Sequence, residues 1–204
     1  MNQNNHPKPI SEQLLEELRE AYLQKGVNVD QYLLPGLSRE EIVTKLRPLN
    51  IPIPEDLIQL YSWRNGQSEY ADWERDSLKF HDTTFINLDA SLKHYDRFRR
   101  EYGEGCTIEN TGFDIDLAFP ISYQDAAWYV MVCGPHKFPI SQPHPIVYIY
   151  YGIAPMFFSM EAMLRSCIDG ILQSTVLADA TLNIDMLKWK EIWEHHNPGI
   201  HKLL

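Results

Sequence analysis

One pair of residues in this chain has the types and spacing of a reactive site. Cys133 and His136 lie three residues apart, which suggests either a metal-binding pair or a thiolate beside its base. However, Cys133 ends a strand-like run, and four prolines follow between positions 135 and 145. This composition is typical of a connecting loop. Cys167 falls on the apolar face of a helical pattern, which favours a small core residue over a reactive thiol.

The densest group of potential zinc ligands is near the C-terminus, at Glu194, His195, His196 and His201. Adjacent residues on a helix point in directions about 100° apart, so two neighbouring histidines do not share a metal without help from elsewhere. A site here would require the chain to fold back after residues 198–199. We therefore expect no metal site and no cofactor.

Sequence motifs of the common enzyme classes are missing from the chain. It has no Gly-x-Ser-x-Gly elbow, no phosphate loop ending in Gly-Lys-Ser or Gly-Lys-Thr, no Gly-x-Gly-x-x-Gly turn and no His-Glu-x-x-His pair. His81-Asp82 is a dipeptide without a partner at a defined spacing. The sequence predicts no catalytic residue, although acid–base residues that meet only in the fold stay an open alternative.

The charge balance points to a class of partner. The formal net charge is −10 over 204 residues, which argues against general nucleic-acid binding and favours a basic protein partner. The one basic cluster contains Lys93, Arg97, Arg99 and Arg100 on a predicted helix, where a solvated helix face is favoured over a phosphate site.

Acidic and aromatic residues come together in two stretches that we predict to form a partner-binding face. The alternatives are solvated loop charges and, for the loop tryptophan, packing back onto the core. The candidate partner-binding residues are Tyr70, Asp72, Trp73, Glu74, Asp76, Asp114 and Asp116.

The elements that must position these residues follow from hydrophobic periodicity and capping signals. Helices are predicted over 11–25, 38–47, 54–64, 89–102, 159–173 and 183–196. Strands are predicted over 83–88, 117–122, 127–133 and 146–151, with the third and fourth in the centre of the sheet. The last helix has a wide apolar surface, so Trp189 and Trp193 either pack on their own domain or contact a dimer mate or partner.

Hydropathy and cysteine usage indicate a cytoplasmic protein. No run approaches the roughly 18 to 20 apolar residues needed to cross a bilayer, so no membrane association is expected. The polar N-terminal segment lacks the apolar region of a secretory signal. Three widely separated cysteines suit a reducing compartment.

The stretch 46–67, LRPLNIPIPEDLIQLYSWRNGQ, carries a family likeness. Pro54 opens an amphipathic helix that runs into Trp63-Arg64-Asn65-Gly66, a helix stop and turn. Two further signals follow along the chain: a Phe-Pro-Ile before a hairpin, and an aromatic-Ser-Met-Glu-Ala entry to the last core helix. With these three signals in this order, the chain resembles the SUKH superfamily, whose founding members are fungal Smi/Knr-type cell-wall assembly regulators. The likeness covers about 37–173. The stretch 123–126 departs from it, because a glycine-bearing turn is expected there.

The resemblance implies a single α+β domain in which N-terminal and C-terminal helices cover a mainly antiparallel sheet. We expect a flexible tail at 1–10, a helical extension at 11–36, the SUKH-like domain at 37–173 and a second helical extension at 174–204. Bacterial relatives of this superfamily look like immunity proteins, which implies binding and occlusion of a basic toxin, such as a nuclease. The alternative is a regulatory scaffold for endogenous partners, and an unrecognised enzyme is the distant alternative. A homodimer is compatible with either of the first two.

Overall fold

The computed structural model describes residues 9–67, 79–80, 83–103, 111–150, 152–176 and 182–203. Within these ranges, the α-helices are α1 (Glu12–Gln24), α2 (Arg39–Leu46), α3 (Glu55–Trp63), α4 (Leu88–Tyr102), α5 (Met160–Gln173) and α6 (Met186–His196). The strands are β1 (Lys79–Phe80), β2 (Thr83–Phe85), β3 (Ala118–Gln124), β4 (Ala127–Val132), β5 (Ile146–Ile149), β6 (Ile153–Phe157), β7 (Thr175–Val176) and β8 (Leu182–Asn183). The chain is an α+β domain, as the sequence predicts.

The helices begin at polar side chains that satisfy the first free amides. Ser11 caps α1, and Ser38 and Glu41 form the predicted capping box at the start of α2. Pro54 occupies the N-cap of α3 with extended backbone, one position before the predicted first turn. The Asn87 side chain accepts the Ala90 amide and begins α4. Because the helix starts here, the strand predicted over 83–88 ends earlier, at Phe85.

The main sheet contains six strands in the order β1-β2-β3-β4-β5-β6, with every neighbouring pair antiparallel. β4 and β5 lie in the interior, as predicted, and every residue of β4 is buried. The aromatic segment predicted to lead into α5, residues 156–158, includes the end of β6. This strand begins at Ile153, three residues before that segment. β1 and the separate ribbon of β7 and β8 were not predicted, because two-residue strands leave no periodic signal.

The turn between β3 and β4 explains the departure at 123–126. Asp125 and Ala126 both have positive φ, at 47° and 69°, so two residues connect the strands without a glycine. Two consecutive positive φ angles are those of a type I′ turn, whose twist matches that of the strands it connects. The hairpin forms, and Ala126 adopts a backbone conformation that side chains with a Cβ rarely take.

The sheet carries a core on each face. The first, which we call the helical-layer core, packs Phe119, Tyr129 and Met131 of the sheet against helices α1, α2, α3, α5 and α6, and it also includes Leu88 and Tyr95 of α4. The second, the α4-side core, contains Trp128, Val130, Val132, Val147 and Ile149 and is covered by Phe98 of α4 together with Phe113 and Ile115. Residues of both helical extensions are buried in the helical-layer core, including Leu18 and Tyr22 of α1 and Trp189 of α6.

The Trp63-Arg64-Asn65-Gly66 stretch is the junction between α3, α4 and the sheet. The Asn65 side chain accepts the amide of Leu88 at 2.9 Å, which ties it to the first turn of α4. Gly66 has φ of 59°, and a Cβ there would lie 2.4 Å from the backbone of Ile86. This close approach requires glycine.

None of the helices within the described ranges combines the length and apolar content that a bilayer crossing requires.

Candidate protein-binding surface

The predicted binding residues fall into two groups. Tyr70, Asp72, Trp73, Glu74 and Asp76 lie outside the described residues. Asp114 and Asp116 are described, and a 3₁₀ turn over Ile115–Leu117 positions them just before β3. The Asp114 carboxylate accepts the Asp116 amide at 3.0 Å, which caps this turn.

Asp116 is held on the surface of α4 by two residues of that helix. Arg99 Nε donates to Asp116 Oδ1 at 2.6 Å, and the Tyr95 hydroxyl donates to the Asp116 carbonyl oxygen at 2.7 Å. The Arg99 guanidinium also lies 5.4 Å from the centre of the Tyr95 ring. Burial raises the pKa of Tyr95, and the hydrogen bond with Asp116 raises the pKa of Arg99. The arginine therefore stays charged and the phenol stays protonated at neutral pH.

Arg99 and Asp116 line an open groove of about 630 Å³, which we call the α4 groove. It is bounded by Asp96, Arg99, Arg100, Gly103 and Asp116. Two of the arginines predicted as a solvated basic face therefore lie beside an aspartate predicted for an acidic face. The surface presents alternating charges, a pattern suited to polar contacts with a protein partner.

A cluster of aromatic and basic residues forms where His94 and Arg97 of α4 meet Tyr123 of β3 and Trp128 of β4. The His94 and Tyr123 rings are 4.2 Å apart, and Trp128 Nε1 donates to His94 Nδ1 at 3.4 Å. The Arg97 guanidinium lies 5.5 Å from the Trp128 ring centre, and Arg97 Nε donates to Glu101 at 2.7 Å. Sequence reasoning missed this cluster. Tyr123 and Trp128 are the second cross-strand pair from the two-residue turn, so the hairpin register would have revealed them.

The Cys133 to His136 stretch has the properties of a structural loop. Cys133 is buried, and burial raises the pKa of its thiol to about 12, so the thiolate is scarce at neutral pH. The Nε2 atom of His136 lies 2.9 Å from the carbonyl oxygen of Gln142 within the same loop. Across the described ranges, no group of three or more histidine, cysteine, aspartate or glutamate side chains has the arrangement of a metal site.

The His195 and His196 rings are in contact at 4.8 Å, but His196 and His201 turn to different carboxylates. His196 Nε2 lies 2.8 Å from an Asp169 carboxylate oxygen of α5, and His201 Nδ1 lies 3.7 Å from Glu194. Their rings thus make two different carboxylate contacts.

A titratable group that sequence reasoning did not single out lies at the start of α3. The Asp56 carboxylate accepts the Ile10 amide at 2.7 Å and anchors the chain just before α1. Burial raises the pKa of the Asp56 carboxyl. The hydrogen bond from the Ile10 amide and the nearby His144 act in the opposite direction, and Glu161 and Glu55 raise the pKa further. No motif signals this group, because residues from four separate segments meet around it only in the fold.

Trp189 and Trp193 pack on the chain's own domain, the first of the two predicted alternatives. Each is 6% exposed. Trp189 contacts α5 at Gly170, where an added Cβ would lie 2.8 Å from its ring, and Trp193 Nε1 donates to the Met156 carbonyl oxygen at 2.6 Å. The exposed apolar residues of α6 are instead Met186 and Leu187, at 72% and 74%.

Comparison with known proteins assigns no family to this chain. No protein-family model matches the chain, and the search of curated proteins found no similar sequence.

Proposed function

We propose that this chain is a non-catalytic protein-binding module, an immunity protein of the SUKH type that neutralises a basic toxin by covering its active surface. The observation that carries the proposal is the α4 groove, where the Arg99–Asp116 ion pair stands in an open, charge-alternating surface. Such a surface offers a partner both signs of charge at fixed positions, which specifies a protein contact.

The negative net charge of the chain is the reason that we propose a basic partner. The net charge of −10 attracts a basic surface over a distance of about one Debye length. The described part of α1 adds to this field with four exposed glutamates, Glu12, Glu16, Glu17 and Glu20. In this mechanism the whole-chain field sets the rate of encounter, and contacts in the α4 groove set the residence time.

The α+β architecture is consistent with the SUKH resemblance, and the family's bacterial relatives suggest the cytoplasm as the place of action. The predicted acidic and aromatic residues between 70 and 76 remain part of the proposed partner-binding face. They would supply charge for steering and Tyr70 and Trp73 as anchors.

The first test is capture of the partner from the native cell lysate by the tagged chain, at low and at high salt, followed by mass spectrometry. One basic, toxic polypeptide recovered in near-equal amount and released by salt is the expected result. Endogenous envelope or signalling proteins retained at high salt would contradict the immunity function and favour the scaffold.

Two sets of variants then separate steering from contact. The triple variant Asp72→Asn/Glu74→Gln/Asp76→Asn lowers the negative charge and is expected to slow association. The double variant Arg99→Gln/Asp116→Asn leaves the net charge unchanged and is expected to speed dissociation about tenfold, equivalent to about 1.4 kcal/mol. The control is Glu191→Gln on α6, which is expected to leave the dissociation rate unchanged. Unchanged dissociation of the double variant would show that the α4 groove is not the contact surface.

A further inference from the structure

Two opposite charges of α4 border the α4 groove without an ion pair of their own. Asp96 and Arg100 are both exposed, both line the groove, and lie four residues apart on the helix. Within the described part of the chain, neither side chain forms an ion pair, and the Asp96 carboxylate accepts no hydrogen bond. Residues at this spacing lie on the same face of a helix. The groove therefore presents an open carboxylate and an open guanidinium side by side.

The same spacing gives a closed ion pair elsewhere in the chain. On α5, Arg165 Nε donates to Glu161 Oε1 at 2.9 Å across four positions. Aspartate is one methylene shorter than glutamate, and Arg100 directs its Nε to the Asp96 carbonyl oxygen, at 3.3 Å, rather than to the carboxylate. Both charges of the Asp96 and Arg100 pair thus stay available to a ligand.

The other two charges of the groove neutralise each other. Arg99 bonds the Asp116 carboxylate, and the Tyr95 hydroxyl holds the Asp116 backbone against α4. A ligand would have to break this ion pair to use either of its charges. Arg100, in contrast, uses only Nε within its own helix, so its two terminal nitrogens can donate in parallel to one carboxylate. The charges that can select a ligand are therefore those of Asp96 and Arg100.

We propose that Asp96 and Arg100 are the specificity-determining pair of the α4 groove, and that they bind a basic and an acidic side chain of the protein partner set about one helical turn apart. Asp96 pairs with the basic side chain, and Arg100 pairs with the acidic one. This role rests on the proposed function, because it names the side chains that the groove selects in that partner. The net charge of −10 attracts a basic surface as a whole, whereas Arg100 requires one carboxylate within that surface.

The pair fixes the position of the partner more than the strength of binding, since an exposed ion pair adds little free energy. A partner segment displaced along α4 loses both contacts. A segment with its charges reversed places a carboxylate beside Asp96 and a cation beside Arg100, and both contacts are repulsive. Selection therefore depends on the spacing of two charges and not on the net charge of the partner.

The test titrates two helical peptides with blocked ends into the full chain at low salt, followed by NMR at the amides and arginine Nε groups of α4. Each peptide is rich in alanine and glutamine and has one glutamate and one lysine. These charges are four residues apart in the first peptide, and two residues apart, on different faces, in the second. The first peptide is expected to bind about threefold more tightly, which is the scale of one exposed ion pair.

Variants of the chain assign this preference to the groove. Arg100→Gln and Asp96→Asn are each expected to remove it. Arg165→Gln is the matched control, because it changes the net charge as Arg100→Gln does but removes an arginine that is already paired on α5. This control is expected to keep the preference.

Either of two peptide results would overturn the proposal. Equal affinity for both peptides, or no saturable binding of either, would mean that the groove does not recognise the spacing. A preference that survives Arg100→Gln would mean that another surface supplies it. The proposed function fails separately. Selectivity for the first peptide without capture of a basic toxin would contradict immunity and leave the pair in place, whereas a captured toxin that dissociates from Arg100→Gln at the wild-type rate would contradict the pair alone.

Discussion

The two faces of the sheet are packed in different ways. The helical-layer core draws on all six described α-helices and on both terminal extensions, so its buried residues come from most of the chain. The α4-side core is smaller, and Trp128, Phe98 and Phe113 are its largest residues. Its border is continuous with the charged surface of α4, where Arg97 lies against Trp128. One face therefore stabilises the fold, and the other also supports the candidate binding surface.

The largest expected effect is the loss of Trp128. Trp128→Ala removes a fully buried indole and is expected to lower the free energy of unfolding by about 3–5 kcal/mol, measured by urea denaturation. Tyr129→Ala, in the helical-layer core, removes a buried ring that packs against Tyr148 and Phe157 and is expected to have a cost in the same range, but only the Trp128 change should speed hydrogen exchange in the second half of α4. Equal exchange in α4 for both variants would contradict the division into two cores.

A smaller loss of stability is expected at the junction between α3, α4 and the sheet. Gly66 and Gly26 both have positive φ, at 59° and 77°, but only Gly66 has backbone within 4 Å of an added Cβ. Gly66→Ala is therefore expected to lower the free energy of unfolding by about 1–3 kcal/mol more than Gly26→Ala, the excess arising from the contact with Ile86. Thermal unfolding of both variants measures it. Equal losses would mean that the α3–α4 junction relaxes freely.

The smallest expected effect is a gain at the β3–β4 turn. Ala126→Gly relieves the positive φ of 69° and creates an Asp-Gly pair, which is favoured in a type I′ turn. The free energy of unfolding is expected to rise by about 0.5–1 kcal/mol, with unchanged hairpin register by NMR. Ala127→Gly, one residue later in β4, is the control and is expected to lower stability. A loss in both variants would contradict the strain at Ala126.

The fold class and most element positions could be predicted from local signals. The capping box of Ser38 and Glu41, the periodicity of α1 and α5 and the aromatic strands β4 and β5 each depend on residues close in sequence. Boundaries were wrong where a cap competed with a strand pattern, as at Asn87. Very short strands were missed.

The candidate site could be predicted less well. Asp116 was selected as an acidic contact, and the basic cluster containing Arg99 was interpreted as a separate solvated face. The structure brings the two within 2.6 Å across 17 positions of sequence. Local patterns describe the charge of each segment, but they do not give the distance between segments.

The sequence by itself determined the fold class, the approximate positions of the helices, which strands are buried on both faces and the sign of the protein's overall field, because capping, periodicity and charge are local or additive properties. Only the tertiary structure decided that Asp116 is an ion-pair partner of Arg99, that Asp56 accepts the Ile10 amide and that the Trp193 indole donates to the Met156 carbonyl oxygen. Each of these depends on long-range packing, which places residues from distant segments within a few ångströms of one another.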